Sequence, residues 1–301
     1  MRYKEIKVNL PKDNSESFLE FVESMGISDY YEILLDLSQE KTGEKILRDD
    51  TNIHVYLPET DLESELKFHI FLKATVQTEY FLESRLIESK EYEEAYKEFY
   101  KPFDVGKTLR IIPTWEKKSE EIITQLKKDN RIPLFLNPGL AFGTGHHETT
   151  KLMIERMETA MKGVKSVLDM GTGSGVLGIA AAILGAKKIC AIDIDSNAVE
   201  ACKFNRNENS LDTSIDFSVY EGGFDHEKVP LEYDLTLINI TFAVISKNIE
   251  NIKNIQTERI LFSGLITEKR EAAMELFTQK LGGNLLYEAS LNDWILLDWK
   301  R

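Results

Sequence analysis

The stretch Ser166-Val-Leu-Asp169-Met-Gly171-Thr-Gly173-Ser-Gly175 decides the fold of this chain. Its first residues form an apolar strand pattern that ends on a carboxylate, and three glycines then occupy alternate positions. Apolar residues resume at Val176 with the density of a buried helix. Glycine lets a backbone turn tightly and approach a ligand, and open α/β sheets bind ligands at the carboxyl ends of their strands. The stretch therefore predicts a strand, a ligand-binding turn and a helix.

The residues of this turn narrow the choice of ligand. A dinucleotide fingerprint, G-x-G-x-x-G, needs glycine at position 176, where this chain has valine. Asp169 places a carboxylate where a pyrophosphate would otherwise sit, which favours a phosphate-free ligand with a cationic end. S-adenosylmethionine meets both conditions through its sulfonium and amino groups. We expect Asp169, Gly171 and Gly173 to bind this cofactor, with a plain tight turn or another nucleotide site as the alternative.

The following strand candidate adds a second carboxylate. Ala191-Ile-Asp193 ends 22 residues after Gly171, which puts Asp193 within reach of ribose hydroxyls. Asp195, two residues further on, is expected to cap a helix that begins near Ser196.

Two other segments are expected to complete the site. Residues 137–150, with Gly143 and Gly145, predict a close-packed flap over the cofactor that Phe142 and Thr150 touch. The alternative is that threonine only caps the next helix. Asn239 ends a strand candidate and would present its amide oxygen beside the transferred methyl group, as the catalytic residue; the alternative is an asparagine that merely turns the chain.

Metal and disulfide chemistry are not expected. His146 and His147 are adjacent and cannot share a helix face, and no other histidine lies at ligand spacing, so no metal site is predicted. His147 is interpreted as an anchor of the flap, with proton acceptor as the open alternative. The two cysteines, Cys190 and Cys202, are interpreted as small buried hydrophobes in a reducing cytoplasm.

The pattern beyond residue 131 predicts a doubly wound α/β sheet, because strands alternate with helices. The last two strand candidates leave no room for a helix between them, so the final strand is expected to return antiparallel. That ending is typical of the seven-stranded, Rossmann-like class I methyltransferase sheet. The strand candidates are 166–170, 188–193, 214–219, 233–239, 259–265, 284–289 and 294–299, and the helix candidates are 175–185, 196–209, 242–255 and 267–281.

The first ninety residues predict a different domain. Their order, β-α-β-β-α-β, is the ferredoxin-like plan. The second helix is expected to start at a capping box of Thr60 and Glu63. We therefore predict three parts, a ferredoxin-like substrate-recognition domain at 1–90, a helix and connecting segment at 91–130, and the methyltransferase domain at 131–301. Within the connecting segment the pattern predicts a helix over 91–103, a strand near 107–112 and a helix over 116–128.

Charge and hydropathy limit the partners. Residues 1–90 carry 11 Lys/Arg and 19 Asp/Glu, a net charge of −8, within a chain whose net charge is −14. An acidic domain disfavours a phosphate backbone and fits a basic protein partner, although a merely solubilising surface is the alternative. No signal core or membrane-length apolar run is present in the sequence. We expect a cytoplasmic monomer that binds neither membrane nor nucleic acid directly.

The chain resembles the methyltransferases of bacterial large-subunit ribosomal protein eleven, the PrmA family. The resemblance covers nearly the whole chain and is most specific in the loop Phe142-Gly-Thr-Gly-His-His-Glu-Thr-Thr150. It implies that Thr150, Gly171, Asp193 and Asn239 contact the cofactor. It also implies that the N-terminal domain recruits the substrate protein, and that the reaction is repeated methylation of lysine ε-amines and the α-amine.

Departures from the family pattern leave the acceptor open. The family usually continues its asparagine with a short stretch ending in alanine, whereas this chain has Asn239-Ile-Thr-Phe242, and Phe242 is expected near the acceptor entrance. His146 stands where a small residue is common. A lysine methyltransferase for another protein is therefore the nearest alternative. A nucleic-acid methyltransferase would commonly have two prolines after the asparagine, and a non-catalytic adaptor would have lost Asp169, Asp193 or Asn239.

Overall fold

The computed structural model describes residues 2–25, 27, 30–33, 50–61, 63–88, 97, 100–138, 143–229 and 231–301. The chain divides into two compact units, Met1–Tyr100 and Lys101–Arg301. Residues 101–130, assigned to a connecting segment from the sequence, group with the second unit. Within the described ranges, no helix has the length and apolar character needed to span a membrane.

The first unit has the ferredoxin-like architecture that the sequence predicts. Its strands pair antiparallel in the order β2-β3-β1-β4, and two helices cover one face. Alternate residues of β1 (Ile6, Val8 and Leu10) point to those helices, as the two-residue period of a strand requires. The elements are β1 Arg2–Pro11, α1 Lys12–Ser24, β2 Tyr30–Ile33, β3 Asp50–Pro58, α2 Ser64–Thr75 and β4 Phe81–Glu88.

The start of α2 corrects one local prediction. Glu63 stands at the N-cap position without a side-chain bond, and Asp61 supplies the cap instead. Its Oδ1 accepts from the backbone N–H groups of Glu63 and Ser64, at 3.1 and 2.9 Å. The Asp61 carboxylate, three residues before the first residue of α2, therefore replaces the predicted capping box of Thr60 and Glu63.

The opposite face of the first unit's sheet holds a buried carboxylate. Glu5 is only 3 % exposed and accepts hydrogen bonds from Tyr56 Oη (2.8 Å) and Arg85 Nε (2.5 Å), while His54 Nδ1 lies 3.3 Å from its Oε1. Burial by itself would raise the pKa of Glu5, but the bonds from His54, Arg85 and Tyr56 outweigh it and lower the pKa to about 2. This cluster ties β1 to β3 and β4.

The second unit is built on the predicted seven-stranded sheet, with strand order β10-β9-β8-β12-β14-β16-β15. Neighbours from β10 to β14 are parallel, and β16 pairs antiparallel with both β14 and β15. The predicted antiparallel ending is therefore confirmed. The strands are β5 Phe103–Val105, β6 Leu109–Pro113, β7 Ile132–Leu136, β8 Ser166–Met170, β9 Lys188–Asp193, β10 Asp216–Glu221, β11 Glu232–Tyr233, β12 Leu235–Asn239, β13 Gln256–Thr257, β14 Arg259–Ile266, β15 Asn284–Leu291 and β16 Trp294–Lys300.

Helices flank this sheet and bury its apolar strands. They are α3 Glu120–Asp129, α4 Glu148–Ala160, α5 Val176–Ile183, α6 Ser196–Glu208, α7 Phe242–Lys247, α8 Ile249–Asn254 and α9 Arg270–Lys280. A separate three-stranded sheet, β5-β6-β7, belongs to the same unit, and α4 packs against β14 and β16.

Two helix predictions need correction. The predicted helix 242–255 is two short helices, because Asn248 (φ −105°, ψ 12°) leaves the helical conformation between them. The predicted helix 91–103 cannot extend to its end, since Phe103 begins β5 and pairs with Ile111. Residues 91–96, 98 and 99 lie outside the described residues.

Candidate cofactor site at the strand ends

Three neighbouring strands end at the same level of the sheet. Met170 of β8 pairs with Ile192 of β9 and with Ile238 of β12. The next residue along each strand is a predicted site residue, namely Gly171, Asp193 or Asn239. The sheet register therefore brings these three together where the strand order changes direction, the position at which open α/β sheets bind ligands.

The glycines of the turn have the conformations that the sequence demands. Gly171, Gly173 and Gly175 all have positive φ, at 72°, 54° and 84°. A Cβ on Gly171 would lie 2.6 Å from Ile240 Cγ2, and one on Gly175 would lie 2.7 Å from Cys202 Sγ. Larger residues would push the turn away from the strand ends, so glycine is required by space as well as by φ.

Asp169 holds the turn from inside. It is 1 % exposed, and its Oδ2 accepts from Thr172 Oγ1 (2.6 Å) and from the backbone N–H of Gly178 (2.9 Å) in α5. Burial raises the pKa of Asp169 to about 6, and the charge of Asp193 acts in the same direction. The carboxylate thus links the turn to the helix that follows and adds negative charge beneath the site.

Asp193 reaches the turn from β9. Its Oδ2 accepts from the N–H of Gly173 at 2.8 Å, and its Oδ1 accepts from the N–H of Asp195 at 3.0 Å. Burial raises the pKa of this carboxyl. Each oxygen keeps a lone pair for a further donor. Asp195 caps α6 by accepting from Asn197 N–H, as predicted.

The flap lies against the glycine turn. Ser174 Oγ donates to the carbonyl oxygen of Gly143 at 2.6 Å, and a Cβ on Gly143 would lie 3.1 Å from that same Oγ. Gly143 has a positive φ of 92°. The structure thus brings the predicted flap and the predicted cofactor turn into direct contact. Phe142, the flap residue expected to touch the cofactor, lies outside the described residues.

His147 anchors the end of the flap. Its Nδ1 accepts from the backbone N–H of Thr149 and lies 2.9 Å from Thr149 Oγ1, so histidine, not threonine, caps α4. The ring also packs edge-on against Trp294, with centroids 4.7 Å apart. Burial lowers the pKa of His147, in keeping with an imidazole whose nitrogen accepts a bond.

His146 packs beside the flap. Its ring stacks on Phe103 with centroids 3.7 Å apart, and burial lowers its pKa to about 4. A Cβ on the neighbouring Gly145 would lie 2.5 Å from Ile111 Cδ1. His146 therefore holds the flap against β5 through a neutral, stacked ring, and Gly145 lies close to Ile111 of β6.

Two predicted site residues carry buried oxygens that have no hydrogen-bond partner among the described residues. They are Thr150 Oγ1, in the first turn of α4, and Asn239 Oδ1, at the end of β12. Asn9 Oδ1, Arg110 Nη1 and Thr236 Oγ1 are also buried without a partner among the described residues, but none of these three residues was predicted as part of the site. Leaving a buried acceptor unpaired costs about 1–3 kcal/mol, so a ligand that donates to Thr150 and Asn239 would remove this cost.

Phe242 follows the end of β12 by three residues. It begins α7, is half-buried and packs against the main apolar core of the second unit. That its ring lies near the acceptor entrance stays a prediction.

Sequence reasoning missed Asn205 and Ser174, both fully buried in the structure. Asn205 Nδ2 donates to the carbonyl oxygen of Ser174 at 2.8 Å, and its Oδ1 accepts from the N–H of Asn137 at 2.7 Å. The available signal was the pair Asn205 and Asn209 on one face of a predicted helix, two polar residues on the side that must pack inward.

Comparison with known proteins places these features in a family. The model of the family described as ribosomal protein L11 methyltransferase (PrmA) matches residues 2–301. A ribosomal protein L11 methyltransferase of Leptospira interrogans serogroup Icterohaemorrhagiae serovar copenhageni is 49 % identical over 303 residues, covering 100 % of this chain and 99 % of that protein. One from Staphylococcus epidermidis is 31 % identical and covers 88 % of this chain and 82 % of its own length.

A solved structure agrees with the sequence matches. The crystal structure of a ribosomal protein L11 methylase from Lactobacillus delbrueckii subsp. bulgaricus superposes with a TM-score of 0.56 at 25 % identity. The superposition covers 67 % of this chain and 99 % of that one. With the family model matched from end to end and a relative of 49 % identity over its full length, this chain belongs to the ribosomal protein L11 methyltransferase (PrmA) family.

Proposed function

We propose that this chain transfers methyl groups from S-adenosylmethionine to lysine ε-amines and the N-terminal α-amine of ribosomal protein L11. The observation that carries the proposal is the buried, unpaired amide oxygen of Asn239 at the strand end beside the glycine turn. Membership of the L11 methyltransferase family supports the reaction and the substrate.

The donors and acceptors at the strand ends fit S-adenosylmethionine. Asp193 has lone pairs left for two ribose hydroxyls, and Thr150 Oγ1 and Asn239 Oδ1 need N–H or O–H donors. The carboxylates of Asp169 and Asp193 favour a cation over a phosphate. We propose that Thr150, Gly171, Gly173 and Asp193 hold the cofactor, together with Asp169 beneath the turn and Phe142 from the flap. When bound, the cofactor supplies an electrophilic methyl group on a positively charged sulfur.

Asn239 is the proposed catalytic residue. A lysine amine has a pKa near 10.4, so only about one in 2,500 is neutral at pH 7, and only the neutral form has a free lone pair. The Asn239 amide oxygen accepts an N–H from that neutral amine and orients its lone pair. Burial around Asn239 Oδ1 disfavours the ammonium form and lowers the pKa of the amine. Orientation and desolvation then carry the reaction, and the proton leaves to water before the amine enters.

His147 has a structural task in this scheme. Its Nδ1 already faces the N–H and the hydroxyl of Thr149. A histidine that accepts a proton from the substrate amine needs a free nitrogen lone pair. Because the Nδ1 lone pair of His147 caps α4, the anchor role is favoured over that of a general base.

We further propose that the first unit docks L11, with the chain acting as a monomer. Leu66 and Ile70 of α2 are 62 % and 61 % exposed, on the side of the helix turned away from the buried Phe68 and Leu72, and β4 is an outer strand of the sheet. Leu86 of β4 is 52 % exposed on the helix-covered side of the sheet. We call Leu66, Ile70 and Leu86 the α2–β4 patch.

Charge around the α2–β4 patch suits a ribosomal protein. Glu79, Glu83 and Glu88 are exposed along this edge, and residues 1–90 carry a net charge of −8. A protein that binds ribosomal RNA must present lysine and arginine to phosphates. L11 is therefore expected to offer both a positive field and amines.

A labelling experiment tests the proposed function. The chain is incubated with S-adenosylmethionine carrying a labelled methyl group and with purified L11, and then with a total ribosomal protein extract. We expect label on L11 in both mixtures, on lysine side chains and the N-terminus by mass spectrometry. Label on another protein with none on L11 would overturn the substrate assignment, and label on RNA would favour the nucleic-acid alternative.

A further inference from the structure

Asn205 of α6 and Asn209, the residue that caps the C-terminus of this helix, bond to the backbone that leads into the flap. Asn209 Oδ1 accepts from Phe135 N–H (2.8 Å) and its Nδ2 donates to Phe135 O (2.6 Å), while Asn205 Oδ1 accepts from Asn137 N–H (2.7 Å). Four residues of helix rise about 6 Å, and two residues of strand about 6.6 Å. The spacing of the pair therefore matches one edge of β7.

Asn205 also makes a bond that Asn209 does not. Its Nδ2 donates 2.8 Å to the carbonyl oxygen of Ser174, inside the glycine turn. Asn205 has no exposed surface, so water cannot replace either bond. One amide group thus spans the first residue of the flap and the turn proposed to bind the cofactor.

Ser174 continues this connection to the middle of the flap. Its Oγ donates to Gly143 O at 2.6 Å, and the residue is fully buried. The flap is therefore tied to the turn at Asn137 through Asn205 and at Gly143 through Ser174. Within the part of the chain that the structure describes, the Asn209 side chain bonds only to Phe135 of β7 and to the backbone of Asn205.

We propose that Asn205 is a positioning residue that sets the separation between the flap and the glycine turn and so preforms the cofactor site. This inference rests on the proposed function, which puts S-adenosylmethionine at that turn. Without the amide, the buried Ser174 carbonyl loses this donor and the half-buried Asn137 N–H loses this acceptor, and both segments shift in response. A site that must be rebuilt on binding has a lower affinity for its ligand.

Cofactor affinity in the full chain tests this role. We expect Asn205→Ala to weaken binding of S-adenosylhomocysteine about tenfold by titration calorimetry. The KM for S-adenosylmethionine should rise by a similar factor, while kcat at saturation changes less than about twofold. Asn205→Asp keeps the acceptor for Asn137 but loses the donor to Ser174. It should likewise raise the KM for S-adenosylmethionine and leave kcat nearly unchanged.

Asn209→Ala is the matched control, because it removes the neighbouring amide of the same helix face. It should lower the midpoint of thermal unfolding yet leave the dissociation constant within about twofold. Equal weakening by Asn205→Ala and Asn209→Ala would indicate a general effect on the fold and overturn the inference.

If neither Asn205 variant folds, Ser174→Ala decides the question, because it removes only the hydroxyl that holds Gly143. Unchanged affinity in that variant would contradict a flap positioned through Ser174. Failure of the unmodified chain to bind S-adenosylhomocysteine would instead overturn the cofactor assignment, and with it this inference.

Discussion

Asn239 illustrates how a single residue can be predicted from sequence and then examined in the structure. Its position at a strand end suggested a role beside the transferred methyl group, and the same position is compatible with a simple chain turn. A turning asparagine would use its side chain to bond nearby backbone. The side-chain oxygen is buried without such a partner among the described residues, which favours a ligand role.

Replacing Asn239 by alanine should therefore reduce methyl transfer to L11. We expect kcat to fall about 100-fold, because the acceptor amine loses the group that orients it. Steady-state labelling of L11 measures the effect, and calorimetry with S-adenosylhomocysteine measures cofactor binding. Asn284→Ala, at an exposed asparagine of β15, is the control and should behave as the unmodified chain. Full turnover with unchanged cofactor affinity in Asn239→Ala would rule out the proposed role.

Asp169 gives a prediction about pH. Burial raises its pKa from 3.8 to about 6, so its neutral form stabilises the folded chain at low pH, and that contribution is lost as the pH rises through about 6. The positively charged sulfonium of S-adenosylmethionine favours the ionised carboxylate, so the affinity for S-adenosylmethionine should rise about tenfold from pH 5 to pH 7, with proton release on binding. Titration calorimetry in buffers of different ionisation enthalpy measures both the affinity and the number of protons released. If the affinity of an Asp169→Asn variant changed with pH as steeply as that of the unmodified chain, the pH dependence would belong to another group.

The residues that sequence reasoning missed share a physical cause. Asn205 acts through two backbone groups, Ser174 O and Asn137 N–H, that lie far from it along the chain. Side-chain bonds to backbone leave no signature at the partner positions, because any residue type offers the same carbonyl and N–H. Sequence motifs reveal positions where only glycine or a carboxylate will serve. They do not reveal hydrogen bonds between a side chain and a distant backbone group.

Among elements, helix α4 depends on an unusual cap. Neutral His147 accepts from Thr149 N–H, and the helix it starts carries Thr150. His147→Ala should cost about 1 kcal/mol, a fall of roughly 2–4 °C in the unfolding midpoint for a unit of this size. His147→Asn, which retains an accepting side chain, should recover most of the loss in thermal unfolding followed by circular dichroism. Equal losses in both variants would show that packing on Trp294, and not the cap, sets the effect.

Element types were easier to predict than their ends. The continuous apolar runs that mark β8, β9 and β12 come from burial on both faces, a property of the strand's own residues. Helix ends depend on which polar side chain reaches the first N–H groups. In α2 the capping side chain is Asp61 and not Thr60, and in α4 it is His147 and not a threonine. Several polar residues near each start could have served, so local sequence does not decide between them.

At the scale of the whole molecule, the direction of the last strand could be predicted from the length of the segment that precedes it. The short link between β15 and β16 excludes a crossover helix, so an antiparallel ending and the class I methyltransferase order were predictable. The assignment of residues 101–130 to the second unit could not be predicted in this way. It depends on the pairing of β6 with β7, two strands that are separated along the chain by α3.

The Glu5 cluster should control the stability of the first unit. Because its lowered pKa of about 2 lies below the ordinary 4.5, Glu5 stabilises the fold above pH 4.5, and this contribution is lost as the pH falls through about 2. Glu5→Gln should destabilise the chain by about 2–3 kcal/mol at pH 7. Urea unfolding at pH 7 and at pH 3 measures the difference, which should shrink at the lower pH. A pH-independent loss would point to packing in place of charge.

Docking of L11 provides the last prediction, because it involves the first unit, the second unit and the substrate together. If the α2–β4 patch binds L11, Ile70→Lys puts a positive charge and a long polar chain on an apolar contact that faces a basic protein. We expect the KM for L11 to rise about tenfold, with kcat and S-adenosylhomocysteine affinity unchanged. Leu286→Lys, at a leucine of the second unit that is 46 % exposed, is the matched control. Added salt should raise the KM of the unmodified chain, and a salt-independent KM with equal effects of both variants would place L11 on another surface.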